Sequence, residues 1–216
     1  MSKLILSLDG GGIRGAATTQ FLTHVEKALQ KQHQKSLRDC VDFYAGTSTG
    51  SLIALALATT DMDIQDINKL YNVTNAKKIF LQNEGFLEID GINAPKYEAK
   101  GKTDILKKSL GQAKIKDVPE GKHVLAVTYG VEKHRPYVVK STRSEFQNLL
   151  SYQVADASSA APTYFPTRDM TLPPDNEQAW LIDGGVVANN PTMCAIAEAC
   201  RLWPDSVRRV LSIGTG

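Results

Sequence analysis

The sequence has few cysteines and almost no excess of charge, and each shortage argues against a class of protein. Its three cysteines, Cys40, Cys194 and Cys200, lack metal-ligand spacing and predict buried, reduced thiols rather than a disulfide framework. The formal net charge is only +2 over 216 residues. No long block of like charges occurs, which argues against a nucleic-acid partner, although a local basic face could still meet an anionic membrane.

Long apolar runs are also missing. The first run is interrupted by Asp9 and is too short for a signal peptide. The longest run, residues 52–58, falls far below the ~20 residues that span a bilayer. These absences predict a cytoplasmic protein.

Short apolar runs alternate with helical spacing along the chain, and this alternation indicates the fold class. Strands are predicted at residues 3–8, 41–45, 123–129, 136–140, 179–182 and 209–213, with helices at 16–32, at 48–59 and from Pro191, where Asn190 is the predicted N-cap. The pattern predicts an α/β fold of three layers, α/β/α, with a mostly parallel central sheet covered on both faces. No repeat or linker divides residues 1–216, so we expect one domain. The final strand runs into a glycine turn, so we expect the natural chain to continue.

The first predicted strand ends in a loop with four glycines among residues 10–15. Three interpretations compete. The pattern G-x-G-x-x-G between strand and helix is typical of dinucleotide binding. Such a site needs an acid about 20 residues further on to bind a ribose hydroxyl, but residues 30–36 contain none, and Asp9 would repel a phosphate. A plain tight turn needs fewer glycines. A loop of exposed backbone N–H groups would instead stabilise the oxyanion of an acyl-transfer intermediate, and it requires a nucleophile elsewhere.

Ser48 is the candidate nucleophile. Residues 46–50 spell G-x-S-x-G between a predicted strand and an apolar helix, the context in which a tight turn exposes a serine at a helix N-terminus. A histidine base is not indicated, because the four histidines, at 24, 33, 123 and 134, show no acid partner and none follows residue 134. Asp183 closes an apolar strand before two glycines, so it would lie at the sheet edge where ligands bind. Burial would raise its pKa and suit it to act as a base; a plain turn-forming aspartate is the alternative.

Together these motifs resemble one family, the patatin-like phospholipases, which are lipid acyl hydrolases with a Ser–Asp dyad. Residues 9–15 match D-G-G-G-x-R-G, residues 46–50 match G-x-S-x-G, and residues 183–185 match D-G-[GA]. Residues 157–166 and 189–191 are similar to the family as well. The motifs occur in the family's order and span nearly the whole chain.

The resemblance implies roles for individual residues. Ser48 would attack the ester, Asp183 would accept its proton, and Gly10, Gly11 and Gly12 would donate backbone N–H groups to the oxyanion. Arg14 would support that loop or meet a lipid phosphate, unless it is an ordinary surface arginine. No metal or cofactor is implied, and calcium-independent chemistry is expected. The implied partner is a lipid or phospholipid, with transient contact at a membrane surface; the sequence makes no prediction of oligomeric state.

Several alternatives stay open at this point. The same site would serve a non-phospholipid serine esterase or an acyltransferase. The glycine loop would alternatively belong to a nucleotide-binding module. An inactive chain that binds lipid or a partner is a further alternative. Residues 81–111 are predicted to be irregular. Their apolar residues, together with Phe80, would form a cap, a membrane-contacting loop or a small satellite core. Those apolar residues include Leu81, Phe86, Leu87 and Ile92. Tyr164 and Phe165 would line an acyl channel or simply pack.

Overall fold

The fold is built from seven strands and nine α-helices within the residues that a computed structural model describes, 2–82, 95–174 and 176–216. The strands are β1 (Ser2–Leu8), β2 (Phe43–Thr47), β3 (His123–Gly130), β4 (Arg135–Lys140), β5 (Arg168–Leu172), β6 (Glu177–Asp183) and β7 (Val207–Ile213). The helices are α1 (Gly15–His33), α2 (Leu37–Cys40), α3 (Thr49–Thr59), α4 (Ile64–Leu70), α5 (Val73–Ile79), α6 (Ala99–Leu110), α7 (Ser151–Ser158), α8 (Gly185–Ala188) and α9 (Thr192–Leu202).

Helices cover both faces of the sheet, as the near-continuous apolar strands require. Successive side chains of β1 point to opposite faces, so Ile5 and Leu6 enter different cores. Ile5 packs with Phe43 and with α9 in one core. Leu6 packs with Tyr44 in the other core, which also contains residues of α1, α3, α4, α6 and α7. The three-layer α/β class expected from the sequence is confirmed.

The sheet is mixed rather than mostly parallel. Strands β7, β1, β2 and β3 run parallel to one another. The pairs β3–β4, β3–β6 and β5–β6 are antiparallel. Two of these antiparallel pairs are hairpins, whose short connections do not allow a parallel crossover. Strand β5 was not predicted, because its Arg168 and Asp169 break the apolar pattern.

Strand β3 brings the ends of β2 and β6 together. Its first five residues pair with β2, which ends with Thr47 opposite Val127. Its last three residues pair with β6, which ends with Asp183 opposite Thr128. Strand β4 pairs with residues 125–130, and a strand has only two edges, so β2 and β6 share the other edge of β3. Because β6 is antiparallel to β3, the carboxyl ends of β2 and β6 meet head to head.

Other sequence predictions are corrected by the structure. Residues 81–111 are not irregular throughout, because α6 occupies 99–110. Phe86, Leu87 and Ile92 lie outside the described residues. Helix α9 begins one residue later than predicted, with Pro191 at the N-cap position, although the Asn190 side chain still accepts a hydrogen bond from Thr192 N–H.

The cysteines and the helices bear on two further expectations. All three cysteines are free, but none is fully buried, and Cys200 is exposed. Across the described ranges, no helix combines the length and apolar character needed to cross a bilayer.

Candidate active site

Ser48 lies on a strained turn between β2 and α3. Its φ of 53° and ψ of −125° lie where non-glycine residues rarely occur. Glycines on both sides permit the close approach: a Cβ at Gly46 would lie 2.3 Å from the Gly50 carbonyl oxygen. The turn therefore presents the Ser48 hydroxyl at the N-terminus of α3, where the helix dipole favours negative charge.

The Ser48 hydroxyl donates a hydrogen bond to the Asp183 carboxylate. The Oγ–Oδ2 distance is 2.6 Å, although 135 positions separate the two residues. The second carboxylate oxygen accepts from Gly185 N–H at 2.7 Å. Ser48 is 8% exposed and Asp183 is 6% exposed. Burial raises the pKa of Asp183 above its ordinary value, while the bonds from Ser48 and Gly185 and the charge of Lys102 oppose that rise. A carboxylate with a raised pKa is a better proton acceptor.

The C-terminal turn of α7 supports both of these residues. Ser158 Oγ accepts a bond from Ser48 N–H at 3.0 Å and donates to the Val127 carbonyl at 2.6 Å. The Asp183 N–H donates to the Ala160 carbonyl at 2.9 Å. One turn therefore fixes the backbone of the serine and the backbone of the acid.

The glycine loop meets the expectation only in part, because Gly10 N–H is already used. It donates to the Asn189 carbonyl at 3.0 Å, and Asn189 Nδ2 returns a bond to the Gly10 carbonyl at 3.3 Å. Gly10 therefore has no free donor for an oxyanion, and the prediction of its role is corrected. Gly11 and Gly12 line the pocket beside Ser48. Neither of their N–H groups has an acceptor among the described residues. Gly12 adopts a φ of +55°, which glycine accommodates without strain.

Asp9 and Arg14 hold the two ends of this loop. Asp9 accepts a bond from Asn190 Nδ2 at 2.8 Å, which fits its expected bracing role. The Arg14 guanidinium donates to the Gly216 carbonyl and also lines the pocket. Thr215 Oγ1 donates to the Gly10 carbonyl at 2.8 Å, so residues 215–216 support the loop. The sequence offered no signal for Thr215.

Ser48 and Asp183 open into a mainly apolar pocket of about 630 Å³. Helices α3 to α6 supply much of its wall through Leu52, Leu70, Ile79, Phe80, Ile105 and Leu106. Tyr164 and Phe165 line it too, and Phe165 also packs against Phe80 and Tyr97. Such a lining suits an apolar chain rather than a charged ligand.

No histidine lines this pocket, and all four lie in the described ranges. Within those ranges, no group of three or more His, Cys, Asp or Glu side chains is placed to hold a metal ion. Lys102, whose position the sequence did not predict, does line the pocket.

An α/β fold that places a serine on a strand–helix turn against a buried carboxylate defines a class, the hydrolase-like folds with a Ser–Asp pair. The chain belongs to the patatin-like phospholipase family, whose sequence model matches residues 6–196. It is 32% identical over 216 residues to patatin-like protein 2 of Oryza sativa subsp. indica, covering 91% of this chain and 53% of that protein. It is 30% identical over 230 residues to calcium-independent phospholipase A2-gamma of Mus musculus, covering 98% of this chain and 28% of that protein.

A solved structure supports the fold. The crystal structure of VipD from Legionella pneumophila matches with a TM-score of 0.55 at 15% identity, covering 86% of this chain and 46% of that chain. The chain spans about half the length of the rice protein, so similarity extends over part of these proteins only.

Proposed function

We propose that this chain is a lipid acyl hydrolase that cleaves fatty-acyl esters with Ser48 as nucleophile and Asp183 as base. The observation that carries the proposal is the 2.6 Å hydrogen bond from Ser48 Oγ to Asp183 Oδ2 at the floor of an apolar pocket. Gly11 and Gly12 supply the oxyanion donors. Gly10 shapes the loop through its two bonds with Asn189.

In the first half-reaction, Ser48 Oγ attacks the ester carbonyl carbon and Asp183 takes its proton. The carbonyl π electrons move to oxygen, and the resulting oxyanion accepts bonds from Gly11 and Gly12 N–H. The intermediate then collapses: the bond to the alcohol oxygen breaks, and Asp183 returns the proton to that oxygen. The products of this half-reaction are a free alcohol and an acyl ester on Ser48.

In the second half-reaction, water takes the place of the alcohol. Asp183 accepts a proton from water as its oxygen attacks the acyl carbon. Collapse of the second tetrahedral intermediate breaks the bond to Ser48 Oγ, which regains the proton from Asp183. A fatty acid leaves, and no metal or cofactor takes part in either step.

The proposed substrate is a phospholipid or a related lipid. The apolar wall of the pocket favours an acyl chain, since each buried methylene contributes about 0.8 kcal/mol. Similarity to phospholipases, among them the mouse calcium-independent phospholipase A2-gamma, supports this class of substrate. The nucleotide-binding alternative has less support, because Gly10 N–H is already bonded and the pocket is mainly apolar.

A long-chain fluorophosphonate tests the nucleophile directly. Ser48 Oγ would bond to phosphorus as the P–F bond breaks and fluoride leaves, with the serine proton passing to Asp183. We expect one adduct by intact mass, mapped to Ser48 by peptide analysis, and no adduct in Ser48→Ala. Ser144→Ala is the matched control, because Ser144 is an exposed serine away from the pocket. An adduct that persists in folded Ser48→Ala would refute the assignment.

We also propose that the mouth of the pocket touches a membrane transiently. Three exposed apolar side chains line this mouth: Ile13 at 45%, Tyr164 at 51% and Val186 at 51% exposure. Exposed apolar groups beside a lipid site favour insertion into an interface.

Co-sedimentation with phosphatidylcholine vesicles checks this surface. The double variant Ile13→Ser, Val186→Ser is expected to bind about tenfold or more weakly, since each loses ~1 kcal/mol or more of apolar burial. Val207→Ser is the control, because Val207 is 66% exposed but lies at the start of β7, opposite Ser2, at the other end of the strands from the pocket. Equal binding by the double variant and the wild type would refute membrane contact at this rim.

A further inference from the structure

Lys102 is a buried cation on α6, in a helix that the sequence did not predict. Lys102 is only 5% exposed. Burying an ammonium is costly unless its N–H groups and its charge are compensated. Its Nζ lies 3.0 Å from the Asp156 carbonyl, 2.9 Å from the Ser159 carbonyl and 3.0 Å from Ser159 Oγ. Ser159 Oγ donates its own hydrogen to Ala155, so it accepts from Lys102. With Asp156 Oδ1, also 3.0 Å away, four oxygens surround the three N–H donors of the charged ammonium.

These acceptors lie at the C-terminal end of α7. The last carbonyls of a helix have no partner within the helix, and the helix dipole concentrates negative charge there. A buried lysine that donates to two of these carbonyls gives the carbonyls hydrogen-bond donors and gives its own ammonium hydrogen-bond acceptors. Lys102 therefore stabilises the α7 C-terminal turn from a helix that lies outside it.

That same turn holds the backbone of both proposed catalytic residues. Ser158 Oγ accepts from Ser48 N–H, and the Ala160 carbonyl accepts from Asp183 N–H. A chain of direct contacts therefore runs from Lys102 through residues 156–160 to Ser48 and Asp183. Movement of this turn would change the Oγ–Oδ2 distance.

Charge connects Lys102 to Asp183 as well. Among the residues that the structure describes, the charged groups that face this region are Lys102 from α6, Asp156 from α7 and Arg168 from β5, while Arg14 lines the same pocket from the glycine loop. Asp156 Oδ1 lies 3.0 Å from Lys102 Nζ, and Asp156 Oδ2 lies 2.9 Å from Arg168 Nε. Asp156 therefore neutralises one of the two cations, Lys102 and Arg168, and this cluster of three groups keeps a formal charge of +1. The Lys102 charge opposes the rise that burial imposes on the pKa of Asp183. Burial lowers the pKa of Lys102 itself, and Asp156 opposes that change.

We propose that Lys102 is a positioning residue, which fixes the α7 C-terminal turn under Ser48 and Asp183 and supplies the positive charge that balances the Asp183 carboxylate. The inference rests on the proposed function for its kinetic consequences, but the charge balance can be measured without turnover. It also gives α6 a role in arranging the dyad beyond its contribution to the pocket wall.

Lys102→Met tests the proposal, because methionine keeps the approximate length and loses the charge. We expect kcat to fall by about 10- to 100-fold with little change in KM, since small displacements of reacting groups cost about this much. We also expect the acid limb of the pH–rate profile to move to higher pH, because Asp183 loses a stabilising cation. Lys108→Met is the matched control, an exposed lysine on the same helix. A profile like that of Lys108→Met, or a fall in rate without displacement of the limb, would overturn the proposal.

Lys102→Arg provides a second variant, because arginine keeps the positive charge and changes only the shape of the donor group. The acid limb should stay near its wild-type position in Lys102→Arg and move only in Lys102→Met. A limb displaced as far in Lys102→Arg as in Lys102→Met would contradict the charge balance.

Carbon-13 NMR titration of the Asp183 carboxyl, assigned with Asp183→Asn, separates this proposal from the proposed function. A rise in the pKa of Asp183 in Lys102→Met supports the charge balance, and an unchanged pKa overturns it, whether or not the protein hydrolyses esters. By contrast, hydrolysis that persists in Ser48→Ala would overturn the proposed function and leave the titration result standing.

Discussion

Asp183→Asn is expected to lower kcat/KM for ester hydrolysis by about 10²- to 10⁴-fold, the usual contribution of a general base. Asparagine fills the same space, and its amide can bond both Ser48 and Gly185, so the site should keep its shape. It cannot take the serine proton. Initial rates with a medium-chain ester, together with the rate of fluorophosphonate labelling, measure the loss. Asp205→Asn is the control, because Asp205 is exposed and far from the pocket.

The pH dependence of the wild type follows from the same carboxyl. Asp183 accepts a proton only when it is ionised, so activity falls as the pH drops through its pKa. Burial raises that pKa, and the acid limb of kcat/KM is therefore expected above pH 3.8, the ordinary value for aspartate. The limb should be absent from the residual activity of Asp183→Asn. A variant that retains near wild-type activity with the same limb would exclude Asp183 as the base.

Asp183→Asn should raise the stability of the fold, although it lowers the activity. Because the pKa of Asp183 is raised in the folded protein, the ionised form disfavours folding. This cost is absent below about pH 3.8 and grows as the pH rises through the folded-state pKa. Asp183→Asn is therefore expected to have a higher Tm than the wild type at pH 7, with the difference vanishing towards pH 3.8. An equal or lower Tm at pH 7 would contradict the inferred burial cost.

The parts of the site that the sequence predicted lie at strand ends. Ser48 and Asp183 each follow or close an apolar strand and are flanked by glycines, and these are local signals. Their contact depends on β3 pairing with both β2 and β6 along one edge, which no local pattern indicates. The resemblance to a family implied that Ser48 and Asp183 form a dyad, but it did not predict this strand pairing.

Long-range hydrogen bonds account for what the sequence could not predict. Gly10 looks equivalent to Gly11 and Gly12 in the sequence. In the structure its N–H and its carbonyl both form hydrogen bonds with Asn189, which is 179 positions away. Lys102 looks like a solvent-exposed lysine among the several of α6, since its burial depends on α7 packing against that helix. Helix α6 itself was obscured by Gly101, which the close packing requires because a Cβ there would lie 1.9 Å from the Lys78 carbonyl oxygen.

The glycines at the turn of Ser48 are needed both for the packing of α3 and for the position of Ser48. Gly50 lies in the first turn of α3, where it packs against the end of β1: a Cβ there would lie 2.1 Å from the Leu8 carbonyl oxygen and 2.8 Å from the Asp9 carbonyl oxygen. Both obstacles are backbone atoms, so no side-chain rotation relieves them. Since Leu8 and Asp9 lead directly into the glycine loop, relief of the clash must displace either α3 with Ser48 or the donors of Gly11 and Gly12.

Gly50→Ala is therefore expected to be severely destabilising, by about 4 kcal/mol, above the ~1–3 kcal/mol that core overpacking typically costs, because both obstacles are backbone atoms. For a domain of this size that corresponds to a fall in Tm of ~10 °C or more. Thermal unfolding followed by circular dichroism measures the fall. The fraction that remains folded should react with a fluorophosphonate far more slowly than the wild type, because Ser48 and its oxyanion donors no longer share one geometry.

Gly214→Ala is the matched control, since its Cβ would meet only Asp9 Oδ2 at an ordinary 3.6 Å. It should unfold and react with the fluorophosphonate like the wild type. If Gly50→Ala did the same, the close approach of α3 to the end of β1 would be unnecessary for holding Ser48 beside the glycine loop. Loss of labelling with Tm unchanged would instead show that this contact fixes the geometry of the site without contributing to the stability of the fold.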